Sequence, residues 1–281
     1  MQQVYISGAF DSTRGDTLRF FQEAARLGKV TLFLKGDKDI IKESGKKPKF
    51  SLDERTYFTE SVRYIERVVV PESWSDDTLP VSEIHSSGES PVGGLWFVKD
   101  NEDTRGKRDF AKTNGLEYRL CKASDLQGYP DYPDLADLGR NEQKTGRKVL
   151  VTGCYDLFHT GHIRFFEEVS DYGDLYVVIG SDKNVGLLKG DSHPLFKEDE
   201  RLFIIDSMKY VKQSLISTGS GWMDAEPEIA IVKPDIYAVN EDGDKPEKRE
   251  FCEQHDLQYL ILKRKPREGL PARSSTELRG F

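Results

Sequence analysis

A chain of 281 residues with 37% hydrophobic and 32% charged residues has the make-up of a soluble globular protein and the length for two domains. No apolar run approaches the roughly 18 residues of a membrane span, and the opening MQQVYISGAF reads as a strand rather than an export signal. The formal net charge of −8 disfavours non-specific binding to nucleic acid, and the three cysteines are too few and scattered for a disulfide framework, so a cytoplasmic protein is expected.

Taken from the N-terminus, the chain is written twice. The segment VYISGAFDSTRGDTLRFFQE from Val4 lies without a gap over VLVTGCYDLFHTGHIRFFEE from Val149. After one inserted residue, FSLDERTYFTESVRYI from Phe50 answers FKEDERLFIIDSMKYV from Phe196, and later KRDFAKTNGLEY from Lys107 answers KREFCEQHDLQY from Lys248. Both halves must therefore share one fold. The segment 128–146, rich in Pro, Gly, Asp and Asn, reads as a linker between domains at 1–127 and 147–281.

Each half alternates strand and helix. In the second, a β-branched strand at 148–152 leads through a glycine-containing loop to a helix presenting Ile163, Phe166 and Ser170, then a strand at 175–180. A helix at 197–210, a strand at 236–239, a helix at 245–255 and a strand at 259–262 follow. The pattern predicts an α/β fold with two Rossmann-like parallel sheets flanked by helices, their ligands beyond the carboxyl ends of the strands.

The chemistry concentrates where the first strand of the second half runs into Gly153-Cys-Tyr-Asp-Leu-Phe-His-Thr-Gly-His162. A helix N-terminus offers unpaired N–H groups and partial positive charge, so it can hold a phosphate. His159 and His162 flank Gly161 and add two donors at that point. A lone histidine here would read as an ordinary loop or helix residue; the pair points to phosphoryl or nucleotidyl transfer, in which the protein positions and stabilises charge at phosphorus. Zinc fits less well, because no third ligand stands at suitable spacing.

GCYDLFHTGH, followed late by SST, resembles the cytidylyltransferase-like nucleotidylyltransferase family, and the tandem layout resembles its phosphoethanolamine cytidylyltransferases. The resemblance implies transfer of CMP from CTP to an alcohol phosphate or sugar phosphate, with release of pyrophosphate. It gives catalytic roles to His159, His162 and Lys189, and places Gly153, Cys154, Tyr155, Asp156, Phe158, Gly161 and Asp182 around the nucleotide. Mg2+ would arrive with the triphosphate, with Asp156 the carboxylate best placed to reach it.

Arg201 matches a helix-borne arginine of the family, although an ion pair with Glu198 or Asp199 explains it equally well. The segment GLPARSSTEL resembles the family's Gly-Ile-Ser-Thr-Thr, so Arg273, Ser274, Ser275 and Thr276 would grip the outer phosphates at the head of a last helix, near Lys263, Arg264, Lys265 and Arg267. Two departures bear on the base and the acceptor. Asn240-Glu-Asp-Gly243 stands where Gly-Asp-Asp-Trp is frequent, and Pro271, Ala272 and Arg273 interrupt the spacing before the hydroxyls.

In the first half, Arg14, Gly15, Asp16 and Thr17 replace His159 to His162, and Cys121 to Asp125 replaces the basic tail. That half is expected to keep the fold without the chemistry and to serve as an intrachain pseudo-dimer partner, the whole being a monomer or a higher homo-oligomer. Two rival readings are an adenylyltransferase acting on a sugar phosphate with ATP and a nucleotide sensor without turnover. Aminoacyl-tRNA synthetases also carry His-x-Gly-His, but neither their Lys-rich loop nor a tRNA-binding domain is visible here.

Overall fold

A computed structural model describes residues 2–86, 92–130, 146–275 and 278. The chain forms two compact units, Met1–Gly128 and Tyr129–Phe281. Of the segment expected to be a linker, residues 131–145 lie outside the described residues.

Unit 1 runs β1 (Gln3–Gly8), α1 (Gly15–Leu27), β2 (Lys29–Leu34), α2 (Asp37–Ser44), α3 (Leu52–Glu60), β3 (Arg67–Val69), α4 (Val81–Ser86), β4 (Leu95–Lys99), α5 (Arg105–Thr113) and β5 (Glu117–Cys121). Unit 2 repeats the scheme with β6 (Lys148–Gly153), α6 (Thr160–Ser170), β7 (Asp174–Ile179), α7 (Asp182–Lys189), α8 (Glu198–Asp206), β8 (Val211–Ile216), α9 (Glu226–Val232), β9 (Ile236–Asn240), α10 (Pro246–Gln254) and β10 (Gln258–Leu262). Both are five-stranded parallel sheets, ordered β3-β2-β1-β4-β5 and β10-β9-β6-β7-β8. Their inner strands pair in matching register, Gln3 with Lys29 and Lys148 with Asp174.

Central strands buried on both faces read as continuous apolar runs, and VYI in β1 and VLV in β6 are fully buried. One face of sheet 2 packs Tyr176, Leu215 and Tyr237 against Ile229 and Val232 of α9 and Phe251 of α10. Unit 1 builds the matching core from Tyr5, Phe33, Trp96 and Ala111.

Four elements of unit 2 differ from the sequence reading. The helix expected at 197–210 ends at Asp206, and β8 and α9 were not expected. As an edge strand β8 needs apolar residues on one side alone, so Lys212 and Gln213 break its apolar run, and its pairing with β7 shifts register at Leu175/Tyr176. The short α7 was likewise not expected; it is capped by Ser181 and carries two exposed leucines.

One buried arginine ties each unit together. Arg201 is completely buried and donates from Nε to the Phe196 carbonyl (3.0 Å), from Nη1 to Cys154 (2.7 Å), and from Nη2 to Gly180 (2.8 Å) and Asp182 Oδ1 (2.9 Å). Arg55 does the same in unit 1, donating to the carbonyls of Phe50, Ala9 and Lys35 and to Asp37. A guanidinium with five donors in a fixed fork suits this convergence of loop carbonyls.

Candidate active site

Strand β6 opens the site because it lies beside β9, and the connections after these two strands leave on opposite sides of the crevice. At the end of β6, Tyr155 takes a left-handed conformation (φ 51°), as Phe10 does at the same place in unit 1 (φ 45°). The aromatic ring folds back over the strand end, and a Cβ on Gly153 would sit 2.8 Å from the Tyr155 ring. Glycine is required there by close approach rather than by its own φ.

The turn delivers His159 to the N-cap of α6, where its Nδ1 accepts a hydrogen bond from the Gly161 N–H (3.1 Å). With Nδ1 accepting, the neutral ring carries its proton on Nε2. One helical turn on, His162 stacks against His159 with ring centroids 3.9 Å apart, between the Phe158 ring (5.5 Å) and the edge-on Tyr155 ring (5.2 Å). Burial, reinforced by His159, Arg264 and Lys189, holds the His162 pKa well below the usual histidine value. His162 is therefore a neutral donor, and its Nδ1 is buried without a hydrogen-bond partner.

These groups face a cavity of about 350 Å³ at the carboxyl edge of the sheet. It gathers Gly153, Cys154, Tyr155, Asp156, His159, Gly161, His162, Lys189, Ser274 and Ser275 of the expected set. Arg273 lines an adjoining recess of about 220 Å³ with Lys263, Arg264 and Lys265. The tail is knitted to the loops: Ser275 Oγ donates to the Leu157 carbonyl (3.2 Å), and Arg264 ion-pairs with Asp242 while donating to the Arg273 carbonyl (3.0 Å). Thr276, and most of the last helix expected after it, lies outside the described residues.

Four expected site residues have other surroundings. Arg201 does not line the cavity, and its guanidinium is spent on the loop carbonyls behind it. Its carboxylate partner is Asp182, not Glu198 or Asp199, so Asp182 is also taken up by this clamp. Phe158 is buried beneath His162 and is absent from the lining. Asp156 reaches the cavity, but its Oδ1 accepts from the N–H groups of Leu195 (2.7 Å) and Phe196 (3.0 Å), and its Oδ2 lies 3.4 Å from His193. Asp11 makes the same two-amide link to Lys49 and Phe50 in the unit without the histidine pair, which marks the aspartate as a loop strut. Among the described residues no cluster of three or more His, Cys, Asp or Glu side chains is arranged to hold a metal ion.

The lining also includes Thr152, Leu157, Phe165 and Lys248, which did not stand out as site residues in the sequence, and Asn240, Asp242 and Gly243 from the segment that departs from the family pattern. Asn240 ends β9 and residues 241–243 follow it, so they border the β6/β9 crevice, a position readable once strand order is known. Burial and the neighbouring Lys245 lower the Lys248 pKa, and its Nζ donates to the Gly243 carbonyl (3.1 Å).

A crevice of this kind, with imidazole donors at a helix N-terminus and cations beside it, belongs to the nucleotide-binding class of parallel α/β proteins. The cytidylyltransferase-like family model matches residues 150–280. The FAD synthase of Archaeoglobus profundus is 31% identical over 134 residues, 47% of this chain and 83% of that protein. The bifunctional protein HldE of Aliarcobacter butzleri is 30% identical over 102 residues, 36% of this chain, and the match spans 21% of that protein's length. A solved lipopolysaccharide core biosynthesis protein from Thermoplasma volcanium aligns at 25% identity with a TM-score of 0.37, covering 44% of this chain and 99% of that one. The chain belongs to the cytidylyltransferase-like family of nucleotidyltransferases.

Proposed function

We propose that unit 2 transfers CMP from CTP to a phosphorylated small molecule, an alcohol phosphate or sugar phosphate, and releases pyrophosphate. The observation that carries this reading is the stacked, buried pair His159 and His162 at the start of α6, facing a cavity that also holds Lys189, Arg264 and Ser275. An oxygen of the acceptor phosphate attacks the α-phosphorus, the new P–O bond forms, and the bond to the pyrophosphate oxygen breaks in line with it. His159, through Nε2–H, and neutral His162 donate to the charge that develops on the α-phosphate. Arg264, Arg273, Ser274 and Ser275 receive the leaving pyrophosphate, and Lys189 guides the incoming phosphate.

Mg2+ would be held by phosphate oxygens and water, since it keeps several waters and the Asp156 carboxylate is already engaged by two amides. With ATP as donor instead, the same residues perform the same steps; the match to a FAD synthase, whose name describes an adenine dinucleotide product, favours this second reading. Pyrophosphate release measured with each nucleoside triphosphate, Mg2+ and a panel of phosphorylated alcohols and sugars tests the proposal. Release above background with one triphosphate and one acceptor class supports it, and none with any pair refutes it.

Unit 1 keeps the arginine clamp and the aspartate strut but has Arg14 and Thr17 in place of the histidines. It is proposed to be a fold-preserving partner without nucleotidyl transfer of its own.

A further inference from the structure

Outside the residues that line the unit 2 cavity, the segment that carries Lys189 and the loop after β8 expose large apolar side chains. Leu187 (67% exposed), Leu195 (53%) and Trp222 (70%) stand out into solvent, with the partly exposed Leu188 between Leu187 and Lys189. The fold does not require them. The repeated positions in unit 1 hold Lys42, Glu43 and Lys49 in place of Leu187, Leu188 and Leu195, on the same helix and the same approach to the buried arginine.

The loop that presents Trp222 is built to hold its shape. Completely buried Glu228 accepts from the N–H and hydroxyl of Thr218, and buried Asn184 of α7 exchanges two hydrogen bonds with the backbone of Gly221 (2.7 and 3.1 Å). Trp222 and Met223 line a recess of about 170 Å³ that shares Lys248 with the main cavity. In unit 1 the tryptophan of the corresponding loop, Trp74, is partly buried against the core and donates its indole N–H to Asp76 (2.7 Å).

In-line displacement assigns these segments to the acceptor. The pyrophosphate-binding groups, Arg264 and the Ser274–Ser275 tail, follow β10 on one side of the central strand β6, so the nucleophile must enter from the other side. That side holds β7 and β8, whose following segments carry Lys189, the leucines and Trp222. We infer that the acceptor is a phosphate monoester whose organic part is apolar, an aromatic or alkyl group that lies on Trp222 and the leucines while its phosphate meets Lys189. This rests on the proposed nucleotidyl transfer and narrows its acceptor away from polyols and sugars.

The test is calorimetric binding, with a nonhydrolysable triphosphate and Mg2+ present, of four probes: 1-naphthyl phosphate, n-hexyl phosphate, glycerol 3-phosphate and ribose 5-phosphate. The two apolar esters should bind about tenfold or more tighter than the polar two. The preference should vanish in the variant Leu187→Lys, Leu188→Glu, Leu195→Lys, which carries the residues this fold already accepts in unit 1, and should weaken in Trp222→Ala, both with triphosphate affinity unchanged. Equal or tighter binding of the polar esters, or no ester binding by protein that binds triphosphate, overturns the inference and leaves nucleotidyl transfer standing. A fall in triphosphate affinity in Trp222→Ala, or a dimer that the triple variant dissolves without changing ester preference, also overturns it. Protein that binds no triphosphate refutes the transferase reading itself.

Discussion

His159 and His162 lie one helical turn apart with their ring centroids separated by 3.9 Å and their planes by 23°. Two imidazoles so close and so buried cannot both be charged without partners, and it is His162 whose protonation is suppressed, first by burial and then by the His159, Arg264 and Lys189 side chains. The pair therefore supplies neutral N–H donors that need no reorganisation when charge develops at phosphorus.

Replacing His162 with alanine should lower kcat by about 10²–10³, the range for loss of one transition-state donor, while circular dichroism stays native. The pH dependence of stability has a definite sign. Because the folded pKa of His162 is depressed, its contribution is fully present above the unfolded value near 6.5 and is lost as pH falls below it. Denaturant midpoints between about pH 7 and pH 5 should fall less in His162→Asn than in the wild type. An equal fall in both would show that His162 is not held neutral.

Gly153 and Gly8 give a paired test of the left-handed aromatic turn. A methyl group on Gly153 would meet the Tyr155 ring at 2.8 Å, against 3.3 Å between Gly8 and Phe10. Tyr155 packs edge-on against His162, so Gly153→Ala should displace the imidazole and cost up to about 10²-fold in kcat/KM, the effect of a misplacement near 1 Å. Gly8→Ala should leave kcat/KM within about twofold. Steady-state kinetics on both variants would contradict the account if Gly153→Ala were silent.

Arg201 should matter for stability. Arg201→Ala leaves buried carbonyls of Cys154 and Gly180 without their donor, and a loss of about 3–5 kcal/mol is expected by denaturant titration. Arg55→Ala should cost a similar amount in unit 1, where no histidine pair exists. Unchanged stability with lost turnover in Arg201→Ala would return the residue to the substrate.

Triphosphate should bind once per chain. Calorimetry with a nonhydrolysable analogue should give a stoichiometry of one, unchanged by Arg14→Ala or Thr17→Ala and abolished by His159→Ala with His162→Ala. Two sites per chain would show that unit 1 binds nucleotide in its own right.

The sequence makes the alternating elements and the histidine turn visible because both follow from local pattern: apolar runs set the strands, and the repeat imposes the same pattern twice. The roles of Arg201 and Asp182 were not visible there, because the carbonyls of Cys154, Gly180 and Phe196 converge on the guanidinium from three separate segments. Spacing suggested an ion pair within α8, but the fork turns inward to the loops. Comparison of the repeats supplies the missing signal. The Arg and Asp persist in the unit that lacks the histidines, so their job belongs to the fold, whereas His159, His162 and Lys189 are replaced by Arg14, Thr17 and Ser44.

The most direct measurement is the product balance of the purified chain with each nucleoside triphosphate, Mg2+ and the acceptor panel, followed by phosphorus NMR. One pyrophosphate should be released for each nucleoside monophosphate joined to acceptor through a new diphosphate linkage. EDTA should abolish the reaction, and His159→Ala or His162→Ala should slow it by about 10²-fold or more. Release of inorganic phosphate in place of pyrophosphate, or an unchanged rate in both histidine variants, would contradict the proposed nucleotidyl transfer.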